Sequence, residues 1–245
     1  MWQGARIVTR DLLDRLNAVA SDNINAIVQL QDFQVFTGHS YDRYSKMVDA
    51  GHLKESVTNA RTNTSASSKD LSRQLIGYLD GELPLVCLYQ IVAHFEAFFF
   101  DFLALLLLHN PHALSAKRQV TVGEVLEAAQ YETLLERLIQ AELAGLRYSS
   151  PADWFAFLRR IVNLDAIKDT DIARLAELKA TRDVCIHNRG IANEIYLGKS
   201  GAQARVRAGE QLPVARAHTY ESADFLREFI RGLADATIAR LAPAT

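Results

Sequence analysis

Arg182-Asp183-Val184-Cys185-Ile186-His187-Asn188-Arg189-Gly190 gathers two arginines, a histidine, an asparagine and an aspartate around what reads as a helix terminus. Gly190 suggests a left-handed turn, which would bring His187 and Asn188 to the mouth of that helix. Arginine stays charged and can hold phosphate oxygens through two parallel hydrogen bonds. Histidine is the side chain most easily poised to move protons near neutral pH. Together they could cleave RNA without a metal. The histidine would take or give a proton at the 2′-hydroxyl or the leaving oxygen, and the arginine would steady charge on the phosphoryl group. A cluster of capping and surface residues is the competing reading of the same spacing.

Glu96 is the second unusual residue. It lies in the apolar run Leu83–His109, beside Val92, Ala93, Phe99 and Phe100 in helical projection. A carboxylate there must find a cation or a donor, or take up a proton. A structural ion pair or a solvated helix edge would meet the same demand. Other signatures of chemistry are missing: there is no GxGxxG, phosphate-loop, HExxH or GxSxG pattern. His109 and His112 flank Pro111 without a thiolate or carboxylate to complete a metal shell, so no metal and no cofactor are expected.

The elements that must carry these residues read as helices. Only 12 Gly and 5 Pro in 245 residues favour long helices over a turn-rich β fold. Helical periodicity runs from Ile7 to Val28, from Ser68 to Leu79, from Val122 to Leu143, from Asp153 to Val162, from Ile172 to Ile186 and from Tyr220 to Leu241. Gly38, Gly51 and the Thr62–Ser68 cluster are expected to interrupt the N-terminal part, with the cluster a loop or helix entry. Leu83–His109 is long enough to span a membrane. Gln90, His94 and Asp101 nevertheless fall on one narrow stripe, and Glu96 and Asp101 would be costly mid-span, so a core helix is expected. Ala204–Val206 and Leu212–Val214 flank Gly209 and read as a short hairpin or two extended pieces. The expected architecture is an all-α antiparallel bundle. Residues 1–80 form an N-terminal helical extension, and residues 81–245 form the main domain, with a hairpin-like insertion before the last helix.

Composition narrows the function. Apolar residues make up 49% and charged residues 23%, as in a globular chain. Cys87 and Cys185 form no CxxC pair, and the N-terminus has no continuous apolar leader segment, so a reducing cytoplasm is expected. The net charge of −2 argues against bulk coating of nucleic acid or membrane. It hides an asymmetry. Arg182–Arg216 holds six basic and three acidic residues, net +3, which leaves −5 for the rest.

Arg182, a polar residue directly after it, and His187 four residues further on resemble the R-x(4–6)-H motif of the HEPN superfamily. His187–Leu197 (HNRGIANEIYL) resembles the extension found in several prokaryotic HEPN groups. His94–Leu103 (HFEAFFFDFL) resembles the family's helix with an acidic residue inside an aromatic run. WFAFLRRI and ELKATR keep the family's usual order. The resemblance spans roughly Leu83 to Leu241; residues 1–80 lie outside it.

The resemblance implies a helical bundle that dimerises so that two motifs share one cleft. It implies a metal-independent endoribonuclease that leaves 2′,3′-cyclic phosphate and 5′-hydroxyl ends, as a toxin or anti-phage effector. Its partners would be RNA, a second copy of the chain, and an antitoxin or regulatory protein, with no membrane. Arg182 and His187 would be catalytic. Asp183 would orient one of them, Asn188 would support the site, and Glu96 would position Arg182 across the bundle. Other HEPN members are non-catalytic interaction modules, which is the alternative carried here. Arg189, Arg205 and Arg207 are candidates for RNA contact. Arg205 and Arg207 alternate, so on an extended strand they would point the same way, although a charged edge strand would look identical. Tyr196 is a core or interface residue, with base stacking as the alternative.

Overall fold

The computed structural model describes residues 10–115, 119–128, 130–164 and 167–242. Within them the chain is mostly helical, with one two-stranded sheet. The first helix, α1, runs unbroken for 40 residues from Arg10 to Asp49, about 60 Å. It passes straight through Gly38, where the sequence suggested a break. A glycine inside a helix costs about 1 kcal/mol. Here the packing of this helix along the helices that follow outweighs that, and a Cβ at 38 would sit in ordinary contact with Leu79, at 3.7 Å. The true stop is Gly51, at φ 76°. Gly51 N–H donates to Val48 O and His52 N–H to Met47 O, both at 3.0 Å, which satisfies the last carbonyls.

Strands β1 (Val57–Asn59) and β2 (Thr64–Ala66) then pair antiparallel, with Thr58 opposite Ser65. The Thr62–Ser68 cluster is thus partly strand, turned at Asn63 with φ 52°. Helix α2 (Ser68–Asp80) is capped by Ser67, whose Oγ accepts from Asp70 N–H at 3.2 Å. At Gly81 it gives way to α3 (Glu82–His109), the central helix of the fold.

Helices α4 (Val122–Ala128) and α5 (Tyr131–Arg147) replace the single helix expected over 122–143. Gln130 is extended between them, at φ −138° and ψ 149°. Helix α6 (Pro151–Ile161) starts from a reciprocal cap, Ser150 with Asp153. Then follow α7 (Asp169–His187), the short α8 (Glu194–Ser200) and α9 (Arg216–Leu241).

One core joins α1, α3, α5, α6, α7 and α9. Leu12, Leu16, Ala20 and Ile27 of α1 belong to the same buried cluster as the α3 and α9 residues, so α1 shares its core with the helices after residue 80. The centre of that core is aromatic. Phe95 stacks on Phe229 at 5.6 Å between ring centres, and Phe99 stacks on Trp154 at 5.5 Å. This explains the apolar run of α3. It is long and apolar enough to cross a bilayer by length and composition, but in this fold most of its apolar window is buried among other helices.

The insertion between α8 and α9 is not a hairpin. Ala204–Val206 and Leu212–Val214 form no ladder with each other among the described residues. Instead Ile191 forms a lone antiparallel bridge with Gln211. Ala192 N–H donates to Glu210 O at 2.9 Å and Leu212 N–H to Gly190 O at 2.8 Å. The apolar side chains decide this. Leu212 and Ala192 join Ala180, Val184 and Tyr196 in a second small core against α7, which a local hairpin would leave unfilled.

Candidate functional site

Helix α7 carries Arg182, Asp183 and His187, and its C-terminal turn sets their surroundings. Asn188 N–H and Gly190 N–H both donate to Val184 O, at 2.8 and 3.1 Å. Arg189 and Gly190 are both left-handed, at φ 54° and 75°. The Asn188 side-chain amide donates to Ile191 O, so Asn188 fixes the turn. This turn leaves His187, Asn188 and Arg189 exposed at the helix mouth.

Arg182 faces the bundle. Its Nη2 donates to Glu96 Oε1 on α3 at 2.8 Å. Lys179 Nζ donates to the same oxygen, and its ammonium also lies 5.0 Å from the centre of the Trp154 ring. Arg182 Nε is 3.1 Å from Asp183 Oδ1, yet it is buried and out of line for a hydrogen bond, so that contact is Coulombic. Asp183 in turn accepts from Lys199 of α8 at 3.1 Å. The result is an alternating chain, Lys179–Glu96–Arg182–Asp183–Lys199, across α3, α7 and α8. Three cations against two carboxylates leave it net positive. The Glu96, Arg182 and Asp183 side chains are only 17 to 27% exposed, so solvent screens this chain less than a surface pair.

Asp183 and His187 lie one turn apart on the same face of α7. The structure therefore brings Glu96, Arg182 and Asp183 into direct contact and leaves His187, Asn188 and Arg189 at the exposed end of the same helix.

Arg205 is placed differently from the sequence expectation. No strand forms at 205–207, and the two arginines part company. Arg205 turns inward onto Glu177, with Nε to Oε1 at 2.9 Å, while its Nη1 donates to Pro213 O at 2.8 Å and its Nη2 to Thr181 at 3.2 Å. Glu177 also accepts from Thr181 and Tyr196, at 2.7 and 3.0 Å. The reason is electrostatic. Glu177 is only 4% exposed, and a buried carboxylate needs a cation and donors on its lone pairs. Its guanidinium therefore holds Glu177 and the Pro213 carbonyl rather than standing out beside Arg207. Arg207 stays exposed and is bonded through its backbone, its N–H donating to the Glu210 carboxylate at 2.8 Å and its carbonyl accepting from Glu210 N–H at 3.2 Å. Tyr196 is fully buried and is a core residue.

Burial shapes the titratable groups nearby. It raises the Cys185 thiol and the Tyr196 phenol and lowers the His218 imidazole. Cys87, inside the core, is pushed up to about 11. Both thiols are thus held as the poorly reactive protonated form. No cluster of three His, Cys, Asp or Glu suited to a metal ion occurs among the described residues.

Lys179, Lys199 and Glu177 were not singled out in the sequence. Lys179 had a signal, since it lies three residues before Arg182 on the same helix face. Glu177 had one too, a carboxylate between Leu175 and Leu178. Lys199 had none.

The chain was compared with family models, curated proteins and solved structures. It matches none of them.

Proposed function

We propose that the chain is a metal-independent endoribonuclease of HEPN type, in which Arg182 and His187 act on the scissile phosphate in a cleft shared by two copies. The observation that carries this reading is the Glu96–Arg182 contact. Glu96 takes one nitrogen of the guanidinium, while Nη1 is bonded to none of the described residues. An arginine held on one edge is pre-oriented for a phosphate on the other. His187 takes the proton of the 2′-hydroxyl, whose oxygen attacks phosphorus. The P–O5′ bond breaks, and the departing oxygen takes a proton from the partner copy's histidine. The products are a 2′,3′-cyclic phosphate and a 5′-hydroxyl. Arg182 steadies the extra charge on the phosphoryl oxygens in between.

Two copies suit this chemistry, because one histidine cannot be base and acid in a single step. Ile186 and Ile195, 49% and 66% exposed, provide apolar surface next to the motif for such a contact. The setting that fits is a toxin or anti-phage effector in the cytoplasm. The second reading is a non-catalytic interaction module of a two-component or defence complex. It is favoured by the engagement of both Arg182 and Asp183 in the ion chain.

The deciding experiment is incubation of the purified protein with total RNA in EDTA. Wild type should cleave it to cyclic-phosphate ends, and Arg182→Ala and His187→Ala should not, with helicity unchanged by circular dichroism. Undiminished cleavage in both variants defeats the catalytic assignment. A complex with a partner protein that survives His187→Ala, without turnover, supports the interaction module. A species that cleaves while monomeric by light scattering removes the shared cleft.

A further inference from the structure

A cavity of about 470 Å³ lies between the α5–α6 turn, α7 and α8. Its lining includes Lys179 and Lys199, the two ends of the ion chain that holds Arg182. The cavity and the candidate site therefore share walls. Ala173 and Ala176 of α7 and Gly198 of α8 are small, which is what keeps the space open. Pro151 and Ile172 add apolar surface. Arg159 is a third cation, paired at 3.0 Å with the one carboxylate in the lining, Asp169. Tyr148, 94% exposed, stands at the rim.

These features fit one kind of occupant. Ligand cavities run to about 300–1,000 Å³, mostly apolar with a few polar groups at fixed places. An apolar slot with cations on its walls and an exposed aromatic ring at its mouth suits a planar heterocycle linked to phosphate. The ring stacks, the sugar fills the slot, and the phosphate reaches the cations.

We infer that this cavity is a nucleotide subsite, which holds the base and ribose of one single-stranded RNA residue beside the scissile phosphate. The inference rests on the endoribonuclease reading of Arg182 and His187. Its consequence is a base preference at one fixed position next to the cut, exerted by residues outside the motif.

The test uses the full chain and an RNA trinucleotide with 2′-O-methyl groups on every ribose, which blocks attack and isolates binding. Two variants probe the cavity. Gly198→Leu fills it from α8, where an added Cβ meets no other atom within 4 Å. Tyr148→Ala removes the exposed ring without touching the core. Wild type should bind the trinucleotide, with amide shifts at Ala173, Ala176 and Gly198. Tyr148→Ala should weaken binding at least about fivefold. Gly198→Leu should abolish saturation and flatten the base preference of cleavage. Should Gly198→Leu fail to fold, Tyr148→Ala alone decides.

Unchanged binding and cleavage pattern in a folded variant overturns the subsite. If His187→Ala still abolishes cleavage in that case, the nuclease reading survives. If wild type cleaves no RNA yet binds the trinucleotide through these residues, the nuclease reading fails and the nucleotide site stands. If wild type does not bind the trinucleotide at all, the subsite is wrong.

Discussion

Arg182 Nη2 donates to Glu96 Oε1 at 2.8 Å, joining α7 to α3 through residues 86 positions apart. The same oxygen also accepts from Lys179, so one carboxylate is shared by two cations at the edge of an aromatic core. Substitution at Glu96 should act on stability and catalysis together. Glu96→Gln keeps the shape but removes the charge, leaving Lys179 and Arg182 to repel each other with little water. The expected destabilisation is about 1–3 kcal/mol, below the full cost of a broken buried pair because these side chains keep some exposure. RNA cleavage should fall through kcat more than KM, since Arg182 is displaced without loss of the exposed surface around His187. Urea unfolding and single-turnover cleavage measure the two effects. Wild-type values in both would mean that the contact is incidental.

Arg205 and Arg207 should now part experimentally as they part structurally. Arg205→Ala leaves Glu177 buried without its cation, so stability should fall by about 3–5 kcal/mol. Glu177→Gln combined with Arg205→Ala should cost less than the two single changes added, because both break one network. Arg207→Ser should leave stability within about 0.5 kcal/mol. If Arg207 meets a phosphate, its loss lowers the salt dependence of RNA affinity by about 0.7 in log–log slope. Denaturant unfolding and salt titrations of binding read these outcomes. A stable Arg205→Ala variant with weakened RNA affinity would return Arg205 to the binding surface.

What the sequence disclosed follows the range of the interactions involved. Helices α3, α6, α7 and α9 were legible because each carries a long amphipathic or apolar run with a local start or stop, as at Pro151 and Gly190. The demand of Glu96 for a cation was legible from its apolar neighbours, and the family resemblance pointed to Arg182. Other features depended on contacts distant in sequence. Gly38 looks like a breaker until α1 packs along α2, α3 and α9. The extended Gln130 between α4 and α5 has no breaker in its sequence to announce it. The β1–β2 hairpin lacks apolar alternation because both strands are largely exposed. The direction of Arg205 was set by Glu177, 28 residues earlier, and alternation along a strand that never forms could not reveal it.

Gly190 should tolerate no side chain without loss. Its φ of 75° strains any L-residue by about 1–2 kcal/mol. An added Cβ would also run into the Gln211 side-chain amide, the movable end of an exposed side chain. Gly190→Ala is expected to destabilise the chain, and pairing it with Gln211→Ala should recover only the steric part. Hydrogen exchange should show the amides of Asn188 and Gly190 opening first, since both bond to Val184 O at this turn. An unperturbed Gly190→Ala variant would show that the turn relaxes freely.

His218, near the start of α9, should make the fold sensitive to acid. Burial is the main cause that lowers its pKa from the ordinary 6.5; the charge of Arg205 adds to this and that of Arg174 adds less, while Glu177 and Glu221 oppose. Its Nε2 is buried without a hydrogen-bond partner among the described residues. The folded state therefore binds this proton less readily than the unfolded chain does. Above about pH 6.5 the imidazole is neutral in both states and exerts no pull. As pH falls through 6.5 toward the lowered folded value, the unfolded chain takes up the proton first and stability declines. His94 shifts in the same direction through burial, so part of the decline belongs to it. His218→Gln cannot titrate and should lose less stability than wild type between pH 7 and pH 5. Parallel urea midpoints at four or five pH values give the comparison. Identical slopes in the two proteins would assign the acid sensitivity to other groups.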